Sequence, residues 1–207
     1  RDPRNRLLAR GPQQRLTAEM VRDQALLASG LLSTKMGGPP VMPPQPDGVW
    51  NTVYNDSKWK DATGPDRYRR AIYTYIKRTS GYPSFLTFDA SDHDTSLARR
   101  IPTNTPLQAL VTLNDPVYYE ASEALAKRML AEQRNVDARI KYGARLVLSR
   151  DPSDREIAAM KALFQKTAAA PALRPIAATV HGNSRELTAM TAVASTTALR
   201  VKRSSMP

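Results

Sequence analysis

Between residues 105 and 156 the chain carries three helix-start signals in close succession, and no other feature restricts its fold as strongly. Thr105-Pro106-Leu107-Gln108 puts threonine at the cap, proline at the first helical position and glutamine where a capping box would have it. Proline suits that position because its missing N–H would have had no partner in the first turn. Asp115-Pro116 repeats the signal, so the first of these helices stops near Asn114. A second should then run to about Leu130 with Val117, Ala121, Ala124 and Leu125 facing inward. A third spans roughly residues 136–149. Ser153-Asp154-Arg155-Glu156 reads as a full capping box opening a fourth, on which Ile157, Met160, Leu163 and Phe164 recur at helical spacing. Such an order of helices predicts a mainly α fold, a helical bundle.

Nearer the N-terminus, Thr17 caps a helix whose Leu16 and Val21 have hydrophobic-staple spacing. Its apolar stripe is expected to combine Val21, Ala25, Ala28 and Leu32 with Met20, Leu27 and Leu31, ending at Gly37-Gly38-Pro39-Pro40. Five prolines then fall between Pro39 and Gly48, which favours extended chain. Because Trp50, Tyr54 and Trp59 follow, and large rings are usually buried, this long proline-rich loop should lie as a strap across the core. The β-branched and aromatic run from Arg69 to Arg78, separated by Gly81-Tyr82-Pro83 from Ser84 to Phe88, predicts a short β-hairpin. A helix over 66–78 is the alternative, since Tyr68, Ile72, Tyr75 and Ile76 also lie at helical spacing. Towards the other end, Leu187, Met190 and Val193 recur every three residues and predict a helix from Glu186 to Ser195, followed by a loosely held tail over 196–207.

A length of 207 residues fits one domain, and 41% hydrophobic residues suffice for a core. The absence of cysteine excludes disulfides, thiolate zinc sites, thiol nucleophiles and covalent haem attachment within this chain. No stretch reaches the roughly 20 apolar residues of a membrane-spanning helix, and Arg1 to Arg6 lacks the apolar run of a signal peptide. With no initiator methionine either, the chain reads as a piece of something longer. The net charge of +12 raises binding to a polyanion, whether nucleic acid, anionic lipid or an acidic polysaccharide, yet residues 167–207 hold five basic side chains against one acid and the rest is mixed with carboxylates.

One dense polar cluster stands out: Asp89, Asp92, His93 and Asp94 within Asp89–Ser96. Carboxylates so close could ligate calcium, or act as the acid and base of glycoside hydrolysis; the same residues also form ordinary turns and caps. Arg99 and Arg100 follow, with guanidinium forks suited to Asp89 or Asp92, or to an anionic ligand such as a uronate or sulfate. Arg69 and Arg70 are a second candidate anion-binding pair on the folded body. Only His93 and His181 could serve a serine nucleophile, and no Gly-x-Ser-x-Gly elbow, phosphate loop or zinc-helix motif occurs.

Several motifs together resemble one family. They are Asn5-Arg6-Leu7-Leu8-Ala9-Arg10, Glu19-Met20-Val21-Arg22-Asp23 with Ser29-Gly30-Leu31-Leu32, Tyr68-Arg69-Arg70-Ala71-Ile72-Tyr73 and Leu86-Thr87-Phe88-Asp89-Ala90. Most specific are Arg99-Arg100, Thr103-Asn104-Thr105-Pro106-Leu107-Gln108-Ala109-Leu110 and Leu113-Asn114-Asp115-Pro116. They are similar to the planctomycete-type domain of unknown function 1553. The resemblance covers about residues 1–165, starts partway into the family domain, returns weakly over 166–195 and departs in a basic tail over 196–207. It implies a large exported bacterial protein, often bearing cytochrome c segments, and hence an extracytoplasmic location with the rest of a parent protein as partner. It assigns no reaction and no catalytic residue. Three functions stay open: a non-catalytic interaction or assembly module, a glycoside or ester hydrolase using the acidic loop, and a non-specific polyanion binder.

Overall fold

The computed structural model describes residues 6–7, 15–50, 58–169 and 184–200. Among them the backbone forms seven α-helices and no strand. These are α1 (Ala18–Ser29), α2 (Pro83–Thr87), α3 (Pro106–Asn114), α4 (Pro116–Glu132), α5 (Val136–Leu148), α6 (Asp154–Ala169) and α7 (Ser184–Arg200). Two short 3-10 helices cover Gly64–Tyr68 and Ala71–Tyr73. The expected mainly α class is what the chain adopts. Tyr54, His181 and residues 201–207 lie outside the described residues.

The helix starts form where capping chemistry puts them. The Asp115 carboxylate accepts the Val117 N–H at 3.0 Å, Asn135 accepts from Ala138 at 2.8 Å, and Thr17 accepts from Met20 at 3.4 Å. At α6 the box closes both ways: Ser153 N–H donates to the Glu156 carboxylate at 2.9 Å and Glu156 N–H to the Ser153 hydroxyl at 3.4 Å. At α3 it does not. Thr105 makes no side-chain cap, and the Gln108 side chain turns inward instead, wholly buried.

Two expectations about the N-terminal half need correction. Helix α1 ends at Gly30, whose left-handed φ of 81° lets the Leu31 N–H reach the Leu26 carbonyl at 2.9 Å, seven residues before Gly37. Its inward face is also turned: Ala18, Arg22, Leu26, Ala28 and Ser29 are buried, whereas Met20 and Leu27 are exposed. The hairpin is absent, as is a helix over 66–78. Residues on either side of Ala71–Tyr73 form isolated parallel bridges, Arg69 with Ser33 just after α1 and Thr74 with Val41 in the strap. Tyr75 N–H donates to the Val41 carbonyl at 2.7 Å, and Val41 N–H to that of Tyr73 at 2.8 Å. The intended second strand follows Pro83, whose fixed φ starts α2.

The proline-rich segment is a strap, as its aromatic residues suggested. Val41, Pro43, Pro44 and Trp50 are buried. Trp59 meets Trp50 edge-on at 5.2 Å between centroids and stacks on Tyr82 at 5.8 Å. Trp59 Nε1 donates to the Pro43 carbonyl at 2.8 Å and Tyr82 Oη to that of Pro44 at 2.6 Å, so carbonyls of a segment whose prolines lack N–H groups for a ladder are satisfied by side-chain donors.

Two apolar clusters hold the chain together. One joins Ala28, Leu125, Ala126, Met129, Ile140, Val147, Met160, Met190, Val193 and Ala194, with Ile157, Leu163 and Phe164 packed on its edge. The other joins Ala18, Ala71, Tyr82, Phe85, Phe88 and Tyr118. Helices α1 and α4 supply residues to both. Val117, Ala121 and Leu125 point inward as their spacing predicted, and Ala124 is half-buried. Helix α7 packs against α4 and α6, with Met190 and Val193 fully buried, and its backbone stays helical past Ser195 to Arg200.

Candidate functional site

The acidic loop leaves α2 at Phe88, a buried anchor of the second cluster. Asp89, with φ of 62°, turns its carboxylate towards the chain entering α3: it accepts the Thr103 N–H at 2.7 Å and the Thr103 hydroxyl at 2.6 Å. Arg15 Nη1 stands 3.6 Å from the same carboxylate, and Arg15 Nη2 donates to Gln108 Oε1. Gln108 Nε2 in turn donates to the Thr87 carbonyl at 2.9 Å. Arg15, Asp89, Thr103 and Gln108 thus form a latch that ties the approach to α1, the end of α2 and the start of α3. Two hydrogen bonds and one ion pair thus engage this carboxylate within the fold.

Asp92, His93 and Asp94 are exposed. Asp92 Oδ1 accepts the Asp94 N–H at 3.1 Å and Ser91 Oγ the His93 N–H at 3.1 Å, while His93 takes a left-handed φ of 65°. Both are the short side-chain-to-backbone turns that Asp and Ser form locally. Among the described residues no three His, Cys, Asp or Glu side chains are grouped so as to hold a metal ion.

The arginines are placed differently from expectation. Arg100 pairs with Glu19 on α1 at 2.8 Å, where either Asp89 or Asp92 was expected. Partial burial raises the Glu19 pKa, but the hydrogen bonds from Arg100, its own backbone and Thr17 outweigh it and hold the carboxyl below its usual range. Arg99 is exposed next to it. Arg69 is 1% exposed: Nη1 donates to the Pro39 carbonyl at 2.9 Å, Nη2 to that of Gly37, and its guanidinium lies 3.7 Å from the Tyr73 ring centroid. Arg70 is exposed and pairs with Asp23 at 3.1 Å, while Asp23 also accepts the Ala71 N–H at 2.7 Å. Arg69 is therefore an internal clamp, whereas Arg70 and Arg100 hold carboxylates one turn apart on α1.

Sequence reasoning missed a buried polar group between α1 and α4. Arg22 is 1% exposed; its Nη2 donates to the Arg67 carbonyl at 3.1 Å, and its Nε and Nη1 have no hydrogen-bond partner among the described residues. Near it Asp115 is pushed from the ordinary 3.8 up to about 6, because burial outweighs the Val117 N–H and the Arg22 charge. Burial likewise pushes the phenols of Tyr82 and Tyr118 well up. The available signal was Arg22 itself, four residues from both Ala18 and Leu26 on the inward row.

A wide cleft of about 780 Å³ opens elsewhere, between Gly30–Lys35 and Gly64–Tyr68, and contains none of the expected acids or arginines. Its charged groups are engaged with one another: Lys35 with Asp66 at 3.2 Å, and Arg67 with Glu120 and, at 3.8 Å, with Asp61.

Fold and side chains define a mainly helical module in which the candidate acids and arginines are divided between internal ties and exposed turns. The chain belongs to the PSD1 family, described as a protein of unknown function (DUF1553), which matches residues 1–164. No curated protein and no solved structure matches it. The family match ends inside α6, so α7 is a part of the first core that lies beyond the matched residues.

Proposed function

We propose that this chain is a non-catalytic helical module of a larger exported envelope protein, contributing interaction or assembly surface. One observation carries the reading. Asp89, the one candidate acid that the fold partly shields, is engaged by Thr103 and Arg15, and the other two, Asp92 and Asp94, are exposed in short local turns. A general acid needs a raised pKa from an enclosed setting, and a glycosidase needs two carboxylates across one bond. Family membership is compatible with the reading and assigns no reaction.

The test is a chromogenic screen of glycosides and esters, with and without calcium, on the purified chain and on Asp92→Ala. We expect no turnover above the blank from either protein. Reproducible turnover that a folded Asp92→Ala loses would replace this reading with the hydrolase.

A further inference from the structure

Helix α3 is packed inside out. Its polar Gln108 and Thr112 are buried, whereas Leu107, Leu110 and Leu113 are 56%, 55% and 44% exposed. The three leucines recur every third residue and so share one side of the helix. Leu86, on the abutting α2, and Ile101, on the approach to α3, are exposed as well, at 46% and 76%. The exposed parts of these five side chains sum to on the order of 500 Å², comparable to the largest patch on a typical monomer and more than half of the ~800 Å² that a standard interface buries on each partner.

Charge selects the occupant. Residues 101–114 contain no Asp, Glu, Lys, Arg or His, in a chain where charged residues make up 24% and the net charge is +12. Two copies of so basic a molecule repel wherever cations face each other, and an uncharged patch is where that repulsion is weakest. An acidic partner would be met by cations, and α3 itself offers none, Arg99 and Arg100 standing before Ile101 at the edge. Helices that lie on anionic membranes carry Lys or Arg on their polar side, and α3 has neither. A two-fold axis through α3 would set the same leucines against themselves.

We infer that the leucine face of α3 is a self-association surface, joining two copies of this chain across a two-fold axis. The inference deepens the module reading by naming one partner, and the two fail separately: turnover would sink that reading, whereas a monomer sinks this one. The experiment is sedimentation equilibrium of the full 207-residue chain from about 1 to 100 μM, with Leu110→Glu and, as a control on α1, Leu27→Glu, which replaces a leucine 65% exposed. Leucine and glutamate have similar helix propensity, so neither change should unfold its helix, and circular dichroism melts confirm it. Should Leu110→Glu melt early, Leu113→Gln takes its place.

The expected result is a wild-type dimer, at least tenfold weaker association in the α3 variant and no change in the control. A wild type that stays monomeric to 100 μM overturns the inference, as does equal weakening by both substitutions. A monomer that pellets with phosphatidylglycerol vesicles only when Leu110 is intact would also overturn it, making the face a lipid surface.

Discussion

Arg69 and Arg70 are sequence neighbours with opposite environments, and the difference is measurable. Arg69 fills a buried niche with two donors on backbone carbonyls and its plane over Tyr73, so Arg69→Ala leaves acceptors dry and a cavity open. We expect a loss of about 3 kcal/mol in urea unfolding. Arg70→Ala breaks an exposed pair with Asp23 and should cost below about 1 kcal/mol. Equal losses would show that Arg69 is not the clamp of the Gly37–Pro39 turn. Asp115 gives a pH signature. Its carboxyl titrates near 6 in the fold against 3.8 ordinarily, so the folded chain holds an extra proton between those values. Stability from this group is greatest below 3.8 and falls as pH rises to 6, by on the order of 2–3 kcal/mol. Asp115→Asn keeps a good cap and removes the titration. The variant should therefore gain stability relative to wild type as pH rises from 4 to 7. A variant that instead lost stability relative to wild type over that range would contradict the assignment.

Caps decide where the elements begin, and Ser153→Ala tests how much one is worth. Losing the hydroxyl leaves the Glu156 N–H without its acceptor, and should cost about 1 kcal/mol with little change in helix content. A Cm identical to wild type would mean that solvent replaces the box. These starts were legible in the sequence because an orphan N–H in the first turn must be satisfied within three residues, and Asp115, Asn135 and Ser153 sit at that reach. The facing of α1 and α3 was not legible. Arg22 and Gln108 turn inward because their partners come from far along the chain, Arg67 at 45 positions and Arg15 at 93. The alternation after Arg69 forms no strand: a 3-10 turn interrupts it, and its isolated bridges go to Ser33 and to Val41 of the strap, not to the segment behind Pro83. Of the candidate site, the composition of the acidic loop could be read and its engagement could not, since Thr103 lies 14 residues beyond Asp89.

At the scale of the whole molecule, two cores share two beams. Helix α4 gives Tyr118 to one cluster and Leu125, Ala126 and Met129 to the other, and α1 divides Ala18 and Ala28 in the same way. Neither half can lose its packing without loosening a helix that the other half needs. This arrangement gives the two optical probes different addresses. Both tryptophans of the chain stand in or beside the aromatic cluster under the strap, whereas most helical peptide bonds belong to the bundle around Met190. Met190→Ala, a truncation about 2–5 kcal/mol in cost, sits in the bundle and touches neither ring. In urea its tryptophan emission and its far-ultraviolet ellipticity should shift by the same amount and remain superimposable, as a single transition requires. Emission that kept its wild-type midpoint while ellipticity moved would instead show two halves that melt apart. A lesion in the bundle, with no fluorophore of its own, is thus expected to announce itself in the light of rings that it never meets.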